Sequence, residues 1–296
     1  MVRFVVGFFA IAGLLLADER TQRLTARLAE EAAAFQRVAP RMLGRETLVQ
    51  RAQKPARRFR VRVGKAATVD PEPEWQERTL ISEYGFTTFA ASQGGGAIHE
   101  LRQVVSVDGK PVKSSVQDPE ALARIIVASD DGRKRELLKQ FQEYGLVGAA
   151  NDFGQIILLF TAANMPRYEF SYAGRAEVDG KPVLGFSYKQ IDGPNPLTVV
   201  DVRRDRVEDL KIEGEVWVHE STYLPIRVTM ASTSGQSDAV REEAIVIYAF
   251  SRFGSLLPKA TRHREIRGGK VVAENNFTYT DFKRFGASTD IQFETQ

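Results

Sequence analysis

The sequence predicts an α+β protein built on one large curved antiparallel β-sheet, an incomplete barrel, covered by an N-terminal helix and a central helical insert. Three observations lead there. About ten segments alternate apolar and polar residues with period two, and most are joined by short hairpin turns. Residues 18–41 and about 118–165 interrupt this pattern with helical spacing. A sheet of that many strands curls, and its inner face then needs the cover that amphipathic helices supply.

The chain opens with Met1, Val2 and Arg3, a short positive region, and then an apolar run from Phe4 to Leu16 that is too short to span a bilayer. Residues 1–17 therefore read as a signal peptide cleaved near Ala17, with an uncleaved anchor as the alternative. Residues 18–296 are expected to form a single domain in the periplasm or outside the cell. There is no cysteine, which excludes an acylated N-terminal cysteine, a disulfide framework and a thiolate metal site. The formal charge of +3, from 41 basic and 38 acidic residues, is not a nucleic-acid-binding composition, and membrane contact is expected to be peripheral at most.

Leu24, Leu28, Ala32, Phe35 and Ala39 recur every three or four residues, so a helix over 18–41 has one apolar stripe and lies against the core. Pro40 and Gly44 mark its end. A basic cluster, Lys54, Arg57, Arg58, Arg60, Arg62 and Lys65, alternates with Phe59, Val61 and Val63, as the solvated face of a half-buried strand would. Anionic lipid or an acidic partner is the other reading of these charges. Strands follow at 77–90 and 98–107. The Gly94–Gly96 trio between them lacks the following helix and Lys-Ser/Thr pair of a phosphate loop, and reads as a hairpin turn.

In the insert, Asp118-Pro119-Glu120 starts one helix, Asp130 opens a second that Gly145 stops, and Asn151 caps a third, ended by Pro166. The third contains Ile156 to Phe160, apolar nearly all round, and is expected to be buried. Beyond Pro166 the period returns to two. Tyr168, Phe170 and Tyr172 face Leu184, Phe186 and Tyr188 across Asp179-Gly180, a type I′ turn signal. The hexapeptide VDGKPV around it also occurs at 107–112, as reuse of a turn. Further strands are predicted at 210–219, 224–232, 241–251, 257–267 and 270–282, the last two joined by Gly268-Gly269.

The segments Gly214-Glu215-Val216-Trp217-Val218 and Tyr223-Leu224-Pro225-Ile226-Arg227-Val228 form a hairpin step, G-x-hydrophobic-W-hydrophobic, then x-P-x-R-hydrophobic. With the order of helix, strands, helical insert and long strands, it resembles the periplasmic lipoprotein-carrier superfamily, the outer-membrane lipoprotein-sorting proteins. Stretches such as SEYGF, LRQVVSVDG and FTYTDF resemble a group of exported bacterial proteins. The resemblance implies a half-barrel whose apolar concave face is closed by helices and receives an acyl chain noncovalently, with lipid or lipoprotein as partner. The family's release-controlling residues have no counterpart that the sequence identifies.

No reaction chemistry is specified. His99-Glu100 and His219-Glu220 begin like H-E-x-x-H, but Gln103 and Tyr223 stand where the second histidine belongs, and no metal or cofactor is expected. Ser234 and Ser237 lie in a polar loop, and no G-x-S-x-G elbow occurs. Asp130-Asp131 and Glu242-Glu243 fit capping or exposed strand ends. Phe86, Phe89, Phe160, Trp217, Phe277 and Tyr279 are the candidates to line an apolar ligand cavity, and Trp75 is also expected inside. The leading expectation is a non-enzymatic exported binding protein for an apolar ligand. An envelope interaction or scaffold protein without a cavity comes second, with a possible envelope protein partner, and an envelope hydrolase third.

Overall fold

The computed structural model describes residues 6–54, 73–89, 97–112, 119–128, 131–146, 152–194, 196–201, 206–233 and 240–285. The expected alternation of Arg58, Arg60 and Arg62, the Gly94–Gly96 turn, the Asn151 cap and the loop of Ser234 and Ser237 lie outside these residues.

Helix α1 (Val6–Val38) carries the predicted apolar stripe inward, and Leu24, Leu28, Ala32, Phe35 and Ala39 are fully buried. After a 3-10 turn at Ala39–Arg41 come β1 (Met42–Gln53), β2 (Trp75–Thr88), β3 (Ile98–Val107) and the two-residue β4 (Lys110–Pro111). Helices α2 (Pro119–Val127) and α3 (Asp131–Tyr144) follow, then 3-10 turns at Ile156–Phe160 and Met165–Arg167. The second half is β5 (Tyr168–Val178), β6 (Lys181–Gln190), β7 (Leu197–Asp201), β8 (Arg206–His219), β9 (Pro225–Thr233), β10 (Val240–Phe250), β11 (Leu256–Arg267) and β12 (Lys270–Arg284).

One antiparallel sheet holds all twelve strands in the order β4-β3-β2-β1-β12-β11-β10-β9-β8-β6-β5, with β7 paired to β8. Its ends, β4 and β5, do not pair with each other, so the sheet is an open half-barrel. The turns behave as their residues dictate. Asp108-Gly109 and Asp179-Gly180 both take positive φ at each position, as a type I′ turn requires, so the repeated hexapeptide makes the same turn twice. Gly268-Gly269 does likewise between β11 and β12.

The concave face carries the main core, in which Phe35 of α1 meets Phe86 edge-on at 5.1 Å, and Phe160 meets Tyr188 at 5.0 Å. A second, smaller cluster of Leu101, Leu122, Ile126 and Leu137 lies on the opposite face, because Leu101 alternates with Glu100 and Arg102 along β3. The insert thus divides its cover. Helix α2 packs on the convex side of β2, and α3 reaches both clusters through Leu137 and Phe141.

The expected third helix is corrected by the structure: Ile156–Phe160 is a single 3-10 turn. Five consecutive apolar residues offer no polar face to solvent, and Ile156, Ile157 and Phe160 are buried as expected. The segment is held by Tyr248, whose hydroxyl donates to the Gly154 carbonyl at 2.9 Å and accepts from the Ile157 amide at 3.0 Å. Strand β7 was not among the predicted strands.

Candidate functional site

Beneath the Asp152–Phe160 segment, four neighbouring strands place polar groups on the concave face. Register fixes this arrangement: Glu46 on β1 pairs with Tyr279 on β12 and with Ser82 on β2, Tyr84 pairs with Arg102, and Phe86 pairs with Glu100. Arg102 donates through Nε to both Glu46 oxygens, at 2.8 and 3.0 Å, and through Nη2 to Glu100 Oε2 at 2.5 Å. Its guanidinium lies 4.7 Å from the Phe141 ring centroid and 5.3 Å from that of Tyr84. All three ionic side chains are excluded from solvent.

Two carboxyl groups and one guanidinium cannot all be charged cheaply in such a place. Burial pushes the Glu100 carboxyl up to about 7 against the pull of Arg102, and Asp152 and Glu46 push the same way. Burial opposes the charge on Arg102, but Glu46 and Glu100 together hold it charged, well above its ordinary value. Burial likewise raises the Tyr84 and Tyr279 hydroxyls. Among the described residues, Glu100 Oε1, Arg102 Nη1 and the Tyr84 hydroxyl have no hydrogen-bond partner. A Cβ on Gly154 would stand 2.6 Å from Glu100 Oε1 and 2.9 Å from Tyr84 Oη, so glycine lets the segment rest on the cluster and those two atoms converge below it.

Asp152, in the left-handed region at φ 66°, ties the segment to β3. One of its oxygens accepts from the Glu100 amide at 2.8 Å and the other meets His99 Nδ1 at 3.1 Å. This hydrogen bond raises the His99 pKa above its usual value. A separate buried chain runs from Gln50 through Asn275 to His263 and Glu242. With Asn275 Nδ2 donating to Nδ1 and Nε2 donating to Glu242, both His263 ring nitrogens are engaged, and Phe153 stacks on the ring at 4.6 Å. No nitrogen is left for a substrate, and no group of three metal-ligating side chains occurs among the described residues.

Of the aromatic candidates, Phe86, Phe160, Phe277 and Tyr279 are buried on the concave face. Phe89 stands just past the end of β2, half-buried, edge-on to His99 at 5.2 Å and 5.9 Å from Lys134 Nζ of α3. Trp217 is on the convex face: it alternates with the buried Val216 and Val218, covers Gly185, and lies 4.9 Å beneath the Arg227 guanidinium. The hairpin motif is thus an external stack of Trp217 and Arg227 across β8 and β9. Trp75, expected inside, is also outside, under Arg51. Two surface grooves of about 510 and 630 Å³ are lined largely by charged and hydroxyl side chains, Arg20, Arg23 and Arg27 among them in the first, and do not suit an apolar ligand.

Sequence reading missed Glu46, Tyr84, Glu100, Arg102 and Asp152. Glu100 and Arg102 do carry a signal: they share strand parity with Ile98 and Val104, which places charge on an apolar face.

Solved structures similar to the chain include a DUF1329 family protein from Desulfovibrio piger, at 9% identity and TM-score 0.40, covering 89% of this chain and 92% of that one. A putative outer membrane lipoprotein-sorting protein domain from Vibrio parahaemolyticus matches at 12% and 0.33, covering 89% and 93%. A LolA superfamily protein from Nitrosomonas europaea matches at 14% and 0.31, covering 88% and 93%. No protein-family profile matches the chain, and no curated protein matches it significantly.

Proposed function

We propose that this is an exported, non-enzymatic protein that holds an apolar ligand, a lipid or the acyl chains of a lipoprotein, between the concave face of the sheet and its cover. The observation that carries the reading is a concave face rich in aromatic side chains, covered by α1 and the short Asp152–Phe160 segment and carrying buried polar atoms of Glu100, Arg102 and Tyr84 that have no partner among the described residues. Ligand sites have this make-up, mostly apolar with a few placed polar groups. In the closed state the aromatics fill the space, so the ligand enters as Ile156–Phe160 lifts and takes over its contacts. Phe86, Phe160, Phe277 and Tyr279 are the lining residues of this reading. The exported location rests on residues 1–17 as a signal peptide. No helix among the described residues is long and apolar enough to cross a membrane.

Titration of the purified protein with a neutral pyrene-labelled lipid tests the proposal. Saturable uptake is expected, and Phe160→Arg, checked for folding by circular dichroism, should abolish it. A folded Phe160→Arg protein with undiminished uptake would remove this turn from the site. The second reading, an envelope scaffold with a solid core, is favoured by the complete burial of Phe35, Phe86, Phe160 and Phe186. It predicts no uptake by the unaltered protein.

A further inference from the structure

We propose that Glu100, Arg102 and Tyr84 form a polar subsite that receives the uncharged acceptor end of an acylated ligand, an ester or amide carbonyl, and rejects a free carboxylate. The inference rests on the apolar-ligand reading above and names the chemistry of its head group.

Buried polar groups in folded proteins nearly always have partners, and each exception calls for a reason. Here three occur within one cluster: the Tyr84 hydroxyl, Arg102 Nη1 and Glu100 Oε1. Two of these atoms are donors. A carbonyl oxygen, with two lone pairs, could accept from both while its alkyl chain lies against Phe86, Phe277 and Tyr279 on the same face. Glu100 Oε1 and the Tyr84 hydroxyl converge beneath Gly154, so the vacated place of the lifted segment is also where these groups point.

Charge then selects among ligands that carry a carbonyl. Glu46 and Glu100 face one guanidinium, with Asp152 close enough to act on Glu100. The groups around Glu100 are Glu46 of β1, Tyr84 of β2, Arg102 of β3, Tyr248 of β10, Tyr279 of β12 and Asp152 of the segment, and Arg102 is their sole fixed cation. Glu46 already takes Arg102 Nε and Glu100 takes Nη2, so a further carboxylate would enter a site whose positive charge is matched. An ammonium group has no acceptor and would leave the Arg102 Nη1 donor unmet. A neutral acceptor avoids both conflicts.

The test uses the full chain and three probes: a pyrene-labelled long-chain fatty acid, its methyl ester and the corresponding pyrene-labelled alkane. At about pH 8, where a free carboxyl is ionised, the ester should bind roughly tenfold more tightly than the acid. In Glu100→Gln, which removes one negative charge, that ratio should shrink to within about threefold. Tyr84→Phe, which keeps the ring and loses the donor, should weaken the ester about fivefold and leave the alkane unchanged. Equal affinity for acid and ester, or a ratio that Glu100→Gln leaves intact, would overturn the subsite while the apolar-ligand reading stood. Should Glu100→Gln fail to fold, ester affinity unchanged in Tyr84→Phe would overturn it instead. If the unaltered chain binds none of the three probes, the apolar-ligand reading falls and the subsite with it.

Discussion

Glu100 is a carboxyl group that water does not reach, and its position has a consequence for stability. Its value in the folded chain is raised from 4.5 to about 7. Between these values the folded state binds a proton that the unfolded state has released, so stability falls as pH rises through this window. Below about pH 4.5 the group costs nothing through ionisation; above about 7 the cost is complete, on the order of 3 kcal/mol. Glu100→Gln should therefore flatten the urea-unfolding free energy between about pH 4.5 and 7. The same slope in variant and parent would show that Glu100 is not the group that titrates. His99 has the same sign. Its raised value means that the Asp152 bond stabilises below about pH 6.5 and is lost as pH rises through the folded value. Glu100→Gln should leave that slope in place.

At the scale of elements, the polar ties of the Asp152–Phe160 segment to the sheet run through Asp152 and Tyr248. Tyr248 both donates to Gly154 and accepts from Ile157, so removing its hydroxyl leaves a buried carbonyl and a buried amide without that partner. Tyr248→Phe should raise hydrogen exchange across 152–160 by about tenfold or more, consistent with ~1–3 kcal/mol for buried groups left unsatisfied. Exchange that rose equally throughout β10 and β11 would indicate global destabilisation instead. How far such elements can be read in advance depends on their periodicity. Helix α1 was legible because Leu24, Leu28, Ala32 and Phe35 repeat with the helical period. The turn at Ile156–Phe160 was not, because an unbroken apolar run has no period to separate a helix from a 3-10 turn.

Across the whole molecule, hairpin turns made much of the sheet legible, since Asp-Gly and Gly-Gly pairs join strands that are neighbours in sequence. They say nothing of the closure that builds the site. Strand β1 lies between β2 and β12, so Gln50 meets Asn275 across 225 residues of chain. The inward face of β1, Met42, Gly44, Glu46, Leu48, Gln50 and Ala52, mixes polar and apolar residues, so Glu46 could not be assigned to the core from its strand alone. Trp217 illustrates the converse, since its parity opposes Val216 and Val218 and its size alone suggested the interior.

The claim that joins these scales is that the concave face exchanges its own cover for an apolar ligand. Native mass spectrometry with lipid extraction, on protein purified gently from a cell-envelope fraction, addresses it most directly. A retained mass of lipid size is expected, extractable by organic solvent and carrying an ester or amide carbonyl. Protein that is bare under these conditions, and takes up no pyrene-labelled lipid when one is offered, would contradict it and leave the solid-core scaffold.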